Sequence, residues 1–279
     1  MLCATAAARR ASPRRPSRTS PPARLIAYFA SDLHLGVDAR LPSAARERLF
    51  VRWLDEVVAP DADVLYLLGD VFEFWFEYRR VVPRGFVRLL GKLAELRDGG
   101  LRVEYFTGNH DLWMGDYFPR ELGIPLHRRP RVETLDGHRL LVGHGDGLGP
   151  GDRGYKRMKR VFRNPAAQWA YARLHPNFAI GLAERVSGMS RSHTGTAEDA
   201  FFGPEEEWLA QYSERKLAAD PAIDYFVFGH RHLPIDLTLS NGRSRYVNLG
   251  DWLNYQSYAR WDGEVLHLGF FESERRVFP

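Results

Sequence analysis

Seven side chains of the types that bind divalent metal ions recur along the chain, each shortly after an apolar run. They are Asp32, His34, Asp70, Asn109, His144, His230 and His232. Two pairs are spaced i, i+2, as Asp-x-His and His-x-His, so each pair points to one side of an extended turn and can grip one ion. Because all seven are nitrogen or oxygen donors, they suit Mn²⁺, Fe²⁺ or Zn²⁺ better than Mg²⁺ or Ca²⁺.

Seven ligands are too many for one tetrahedral ion. If Asp70 is shared, the seven residues divide into two sets of four. Two ions roughly 3.5–4 Å apart form the known arrangement for hydrolysing phosphate esters. Any one of the motifs alone reads equally well as an ordinary turn, and it is their ordered recurrence that predicts a dinuclear hydrolytic centre.

The elements that must position these ligands are short strands. Six β-branched or aromatic runs stop at or near glycine turns, which is typical of buried strands. They cover residues 25–30, 64–68, 103–106, 140–142, 225–228 and 246–249. Helical spacing over 44–58 and 87–96 separates several of them. The β-α-β-α-β order predicts an α/β fold with a largely parallel or mixed sheet, in which ligands collect at the carboxyl ends of the strands.

Residues 150–220 break this rhythm and are predicted to be a helical insertion within a domain spanning 25–279. On a helix, residues 155–163 would place Lys156, Lys159 or Arg160, and Arg163 on one face, which suits an anionic membrane surface or a diphosphate. Residues 168–182 supply a set of apolar side chains: Trp169, Tyr171, Leu174, Phe178, Ile180 and Leu182. The alternative is a solvated helix followed by a core segment.

Composition and charge exclude several classes of protein. The chain has 279 residues, 44% hydrophobic and 27% charged, as in an ordinary globular domain. No apolar run approaches the length of a membrane-spanning helix. The single cysteine, Cys3, excludes intramolecular disulfides and cysteine-based metal sites. The net charge is +4, yet residues 1–24 hold six arginines and no acid, so the remainder carries −2. This distribution argues against nucleic-acid binding.

Residues 1–24 are rich in Ala, Arg, Ser and Pro, and we expect this tail to be disordered. Three interpretations remain open. The tail is a nonfunctional extension that arises from a misassigned start codon, a weak tether to an anionic surface, or a targeting segment.

The ordered motifs resemble those of the calcineurin-like metallophosphoesterases. They are SDLHLG (31–36), GD (69–70), GNHD (108–111), GHGD (143–146) and GHRH (229–232). The resemblance implies a sandwich of two mixed β-sheets flanked by helices, with two metals at one edge. By resemblance, one metal binds Asp32, His34, Asp70 and His232, and the other binds Asp70, Asn109, His144 and His230. A hydroxide held between the ions would attack phosphorus.

The same resemblance implies roles for the residues around the ligands. His110 would act on the leaving-group side, and Asp111 would hold its imidazole. Asp146 and Asp251 would support ligands or simply cap turns.

Three further features are similar to the UDP-2,3-diacylglucosamine hydrolases of lipid A biosynthesis. They are GDVFEFWFEY (69–78), GHGDGLGPGDRGY (143–155) and the insertion. This resemblance implies manganese-dependent cleavage of a lipid-linked nucleotide to UMP and 2,3-diacylglucosamine 1-phosphate. It also implies a peripheral location on the cytoplasmic face of the bacterial inner membrane, with the insertion over the acyl chains and the apolar side chains of residues 168–182 lining an acyl pocket. The implied substrate contacts are Asn109, His110, Asp152, Arg191 and His230.

One departure keeps a second activity open. Better-known members of this group have arginine at the position of His110, and His110 is the residue general to the superfamily. A soluble phosphoesterase acting on nucleotides or other phosphodiesters, with the insertion as an ordinary cap, is therefore the alternative. A nuclease would need a basic groove outside the tail, and a scaffold without catalysis would usually have lost ligands. No obligate protein partner is evident.

Overall fold

The computed structural model describes residues 24–149, 159–183, 201–274 and 277–278. Its eleven labelled strands are β1 (Ala27–Ala30), β2 (Val64–Leu67), β3 (Arg102–Phe106), β4 (Leu126–His127), β5 (Arg131–Leu135), β6 (His138–Val142), β7 (Tyr225–Phe228), β8 (Pro234–Thr238), β9 (Arg245–Leu249), β10 (Ser257–Trp261) and β11 (Leu266–Phe270). The labelled helices are α1 (Ser43–Trp53), α2 (Val87–Asp98), α3 (Tyr117–Glu121), α4 (Pro165–Tyr171) and α5 (Trp208–Ala219). Helix α1 continues in a wider π-helical segment, Leu54–Val58.

The strands form two mixed sheets, as the resemblance implies. The first has the order β11-β10-β1-β2-β3-β4, with β1 to β4 parallel and β10 and β11 antiparallel. The second has the order β5-β6-β7-β9-β8, with β6, β7 and β9 parallel. All six predicted strands are present in these parallel cores. Because their C-terminal ends meet at one edge, the residues that follow them are brought together.

The parallel strands are apolar throughout because both of their faces are buried. In β1, Phe29 faces the second sheet and stacks on Tyr66 of β2 at 4.7 Å between ring centroids. Tyr28 faces the opposite way, toward α1 and α2, where it packs against Trp53. Such two-sided burial is the usual reason for continuous apolar runs in parallel strands.

The last helix of the predicted insertion belongs to the sandwich. In α5, Leu209 and Leu217 pack against Phe226 and Phe228 on the outer face of the second sheet. Helix α5 is therefore part of the core and not of a separate insertion. Among the described residues, no helix is both long and apolar enough to span a bilayer.

The tail prediction falls almost entirely on residues 1–23, which lie outside the described residues, so it stays a prediction. Arg24 is described, and its guanidinium pairs with Glu264 beside the turn between β10 and β11.

Candidate metal centre

The predicted ligands follow the ends of five parallel strands: β1, β2, β3, β6 and β7. Five of them have a left-handed backbone, with φ values of 55° at Asp32, 47° at His34, 51° at Asp70, 70° at His230 and 54° at His232. For residues with a side chain this conformation is uncommon and costs energy. The fold therefore holds these five residues in a strained backbone conformation, which directs their side chains toward a shared space.

The carboxylate of Asp32 is fixed by one oxygen and presents the other. Its Oδ2 accepts a hydrogen bond from the backbone N–H of His230 at 2.9 Å. Its Oδ1 lies 3.4 Å from Nε2 of His232 and 3.8 Å from Nε2 of His34. Oδ1 is buried and has no hydrogen-bond partner. A buried oxygen left unsatisfied in this way is costly unless a cation is bound there.

Asp70 is placed in the same manner between the two sets of histidines. Its Oδ1 accepts the backbone N–H of His110 at 2.8 Å. Its Oδ2 lies 3.2 Å from Nε2 of His144 and 3.8 Å from Nε2 of His34. Asp70 is thus the carboxylate that faces members of both predicted ligand sets.

Three of the ligand imidazoles are oriented through Nδ1. The Nδ1 partners are Glu73 Oε2 at 2.9 Å for His34, the Leu68 carbonyl at 2.7 Å for His144, and Asp251 Oδ2 at 3.2 Å for His232. Each partner is an acceptor and favours the tautomer with the proton on Nδ1. Nε2 is then left to face the shared space, as in ligated histidines generally.

Glycines in the motifs allow the loops to approach one another. A Cβ added at Gly108 would lie 2.1 Å from Asp70 Oδ1, and one at Gly229 would lie 2.4 Å from Asp32 Oδ2. No real Cβ occupies such positions, so the glycines of GNHD and GHRH are required by close packing against the carboxylates.

The charges of the centre favour bound cations. Burial acts to raise the pKa of Asp32, but the charge of His232 and the nearby His34 imidazole outweigh it and hold the pKa at about 2. Burial acts to lower the pKa of His144, yet the Asp70 carboxylate raises it to about 10. For His230, burial and the charge of His144 lower the pKa to about 3. The carboxylates therefore stay ionised and attract positive charge into the site.

The donors fit two divalent ions. The potential ligand atoms of Asp32, His34 and His232 all lie within 4.8 Å of one another, and so do those of Asp70, His144 and His230. Asn109 Oδ1 joins the second group, 3.1 Å from His144 Nε2. The structure therefore brings all seven predicted ligands together. The unsatisfied Asp32 oxygen and the inward-facing Nε2 atoms are the features that a metal pair would satisfy.

His110 and Asp111 are adjacent in the sequence, but their side chains contact different residues. Nδ1 of His110 lies 3.1 Å from the Glu73 carbonyl and 3.5 Å from Glu73 Oε1. The Asp111 carboxylate turns inward, accepting Tyr105 Oη at 2.6 Å and the backbone N–H of Val71 and Gly108. This differs from the expectation that Asp111 holds the imidazole of His110, because Asp111 closes the GNHD loop and Glu73 lies beside the ring.

Two residues that support the site were not predicted from the sequence. Glu73 is buried and contacts both His34 and His110. In the sequence, only its position three residues after Asp70 could have indicated that it belongs to the site. Arg46 of α1 is fully buried, and its guanidinium donates to the carbonyls of Leu33 at 2.6 Å and His34 at 2.6 Å. Arg46 thereby holds the SDLHLG loop, but nothing in the helical pattern distinguishes it from a surface arginine.

Of the remaining residues named in the sequence analysis, some have identified contacts and others lie outside the described residues. Asp146 is buried and pairs with Lys159 of the insertion, and Asp251 supports His232 as described. Asp152 and Arg191 lie outside the described residues, as does Lys156. Because Lys159 turns toward Asp146, it does not belong to an outward basic face.

The described insertion attaches partly through two aromatic side chains, Phe162 and Tyr171. Phe162 packs on Trp113 at 5.4 Å between ring centroids. Tyr171 packs on Trp113 and Phe76, each at 4.7 Å between ring centroids, and on Phe74. Most of the other predicted acyl-pocket residues are exposed instead, including Trp169 at 62% and Phe178 at 61%. The run GDVFEFWFEY thus supplies both Glu73 for the metal centre and the platform for Tyr171.

The fold and the donor set define a metal-dependent phosphoester hydrolase. The family model for calcineurin-like phosphoesterases matches residues 27–234, and the chain belongs to this family. Among its relatives is the UDP-2,3-diacylglucosamine hydrolase of Porphyromonas gingivalis, 41% identical over 256 residues, covering 88% of this chain and 97% of that protein. Proteins of the same name from Pseudomonas aeruginosa (33% identical; 80% and 90% covered) and Aeromonas salmonicida (32%; 90% and 93%) are also similar.

Proposed function

We propose that this enzyme cleaves the diphosphate of UDP-2,3-diacylglucosamine to UMP and 2,3-diacylglucosamine 1-phosphate, a step of lipid A biosynthesis. The observation that carries the proposal is the similarity to the Porphyromonas gingivalis hydrolase over 97% of that protein's length. A match of that extent includes the insertion as well as the sandwich. The ligand cluster supports the reaction class independently of any relative.

The chain's residues divide the work of phosphoester hydrolysis. Asp32, His34, Asp70 and His232 would hold one divalent ion, and Asp70, Asn109, His144 and His230 the other. When bound, two such ions activate a water molecule and offset the charge of the phosphoryl group. We assign them as Mn²⁺, which suits mixed imidazole, carboxylate and amide donors.

His110 is the residue best placed to contact the substrate. Its Nδ1 is engaged by Glu73, and we infer that its imidazole contacts an oxygen of the phosphoryl or leaving group. Its ring lies edge-on to His34, with 4.8 Å between centroids, at the border of the metal centre. Glu73 thus orients a ligand and a substrate-binding residue together. Asn109, His230, Asp152 and Arg191 complete the proposed substrate contacts.

The exposed apolar side chains of the insertion support a lipid-linked substrate. Val161, Trp169, Phe178 and Leu182 are all exposed, and an apolar surface of this kind suits acyl chains or a bilayer interface. We propose that the enzyme works peripherally at the cytoplasmic face of the bacterial inner membrane, with the insertion against the acyl chains.

The test is a product assay on the purified full chain with Mn²⁺ and detergent. UDP-2,3-diacylglucosamine and bis(p-nitrophenyl) phosphate are incubated in parallel, with Asp70→Asn as the inactive control. Release of UMP at a rate far above cleavage of the generic diester supports the proposal. Diester cleavage without UMP release would instead favour the second candidate, a general phosphodiesterase, which His110 in place of arginine leaves open.

A further inference from the structure

A large cavity adjoins the metal centre on the side of His144. Its volume is about 760 Å³, within the usual range for a small-molecule site. The turn between β4 and β5, the 159–163 segment of the insertion and helix α5 form its walls. His144 and Asp146 lie at its inner end, so a molecule in the cavity would reach the second predicted metal site.

The walls carry an excess of positive charge. Five cations line the cavity without a carboxylate within 4.0 Å among the described residues: Arg128, Arg129, Arg160, Arg163 and Lys216. The two carboxylates on the same walls are already engaged, Asp146 by Lys159 and Asp220 by Arg139 at 2.8 Å. Since residues 25–279 carry −2 overall, this concentration is local. A concave site lined by charges of one sign concentrates the electrostatic field and attracts ions of the opposite sign, which here are anions.

Two of these cations are held close together by the fold. Arg128 donates to the carbonyls of Leu112 and Met114, which fixes its guanidinium. Arg163 of the insertion donates to the Arg128 carbonyl at 3.0 Å. Burial and the charge of Arg163 together lower the pKa of Arg128. Like charges placed side by side repel one another, and a bound anion relieves this repulsion.

The cavity and the apolar surface of the insertion are separate. The exposed Trp169, Phe178 and Leu182 do not line the cavity, whereas its apolar wall is formed by Val132, Leu141 and Tyr212. A substrate with an acylated sugar on one side of a diphosphate and a nucleotide on the other needs two such unlike surfaces. The cation-lined one matches the polar, anionic half.

We propose that this cavity binds the nucleotide half of the diphosphate substrate, with Arg129 and Arg163 on phosphate and ribose oxygens and the apolar wall beside the base. The assignment rests on the proposed function, because it takes the nucleotide from that substrate. It adds a binding site composed of residues outside the metal-ligand motifs.

The first test compares Arg129→Gln and Arg163→Gln with Arg215→Gln. Arg215 is an exposed residue of α5, adjacent to Lys216, and does not line the cavity. Because a hydrogen bond to a charged group contributes roughly 1.5–3 kcal/mol, each cavity variant should raise KM for UDP-2,3-diacylglucosamine about tenfold or more. Cleavage of bis(p-nitrophenyl) phosphate, which has no nucleotide, should fall much less, and both activities of Arg215→Gln should be unchanged. An equal loss on both substrates, or none, would overturn the assignment.

The second test measures UMP binding without turnover, by calorimetric titration of the full chain. UMP should bind more weakly to the two cavity variants than to the wild type and Arg215→Gln. If inorganic phosphate or glucose 1-phosphate binds the wild type as tightly as UMP, the site is a phosphate site and the nucleotide assignment fails.

The two proposals fail in different ways. No release of UMP from the lipid substrate, with variant-sensitive UMP binding intact, would reject the proposed function alone. Normal release with insensitive binding would reject the cavity alone.

Discussion

Replacing Gly108 by alanine should disable the metal centre through a single methyl group. The new Cβ would lie 2.1 Å from Asp70 Oδ1 and 2.7 Å from the Asp70 backbone nitrogen, whereas ordinary contact begins at 3.4 Å. The φ of Gly108 is not in the left-handed range, so alanine is acceptable to the backbone there. The effect is therefore steric and falls on the carboxylate that faces both ligand sets.

The contact geometry sets the size of the effect. The two loops must separate by about 1.3 Å to accommodate the methyl group, and a displacement near 1 Å at a reacting centre can cost about 10²-fold in rate. Overpacking adds a loss of about 1–3 kcal/mol in the free energy of unfolding. Because Asp70 serves both ligand sets, we expect the content of both metals to fall.

Two other glycines provide matched controls. Gly91→Ala on α2 adds a Cβ with nothing within 4 Å, so stability should rise by about 0.5–1 kcal/mol with activity unchanged. Gly115→Ala would place its Cβ 2.4 Å from Glu77 Oε2, which disturbs the loop after GNHD without touching a ligand.

The assays are bis(p-nitrophenyl) phosphate hydrolysis, metal content by mass spectrometry and urea denaturation. The steric reasoning is refuted if Gly108→Ala keeps full metal content and wild-type turnover, or if Gly115→Ala loses metal equally.

Three further substitutions test the supporting contacts. Glu73→Gln, which weakens the hold on His34, should reduce apparent metal affinity about 10–100-fold; an unchanged metal dependence of activity would contradict that positioning role. Tyr105→Phe removes a buried donor to Asp111 and should cost about 1–3 kcal/mol in urea denaturation, while turnover per folded molecule stays constant. Arg231→Met leaves the buried carboxylate of Glu207 without its charged partner, 2.9 Å away, and should cost about 3–5 kcal/mol. If the free energy of unfolding of Arg231→Met equals that of the wild type within the error of the measurement, the pair is not desolvated.

The strands that hold the ligands were predictable because they are buried on both faces. Residues 64–67 and 225–228 of β2 and β7 are uniformly buried, and such runs between turns are recognisable in a sequence. The antiparallel strands β5 and β10 were not predicted, since they alternate exposed or half-buried with buried positions. Helix α5 was assigned to the insertion because its packing against Phe226 and Phe228 is a tertiary contact that helical spacing does not reveal.

The contacts of single side chains were less predictable than the elements. The family resemblance implies that Asp111 supports His110, yet the loop turns Asp111 toward Tyr105 and leaves His110 beside Glu73. Likewise Lys159 fits a basic helical face in sequence but pairs with Asp146 in the structure. Both outcomes depend on loop direction, which neighbouring residues alone do not set.

The sequence by itself determined the candidate metal ligands and the order in which they follow the strands, because ligand chemistry and the strand-turn pattern are both local properties. Tertiary structure alone decided which atoms face the site. The orientation of His232, for example, depends on Asp32, two hundred residues earlier, and on Asp251. The nucleotide cavity likewise exists only where the β4–β5 turn, the insertion and α5 meet. Such contacts join segments that are distant along the chain, and only folding brings their charges close enough to interact.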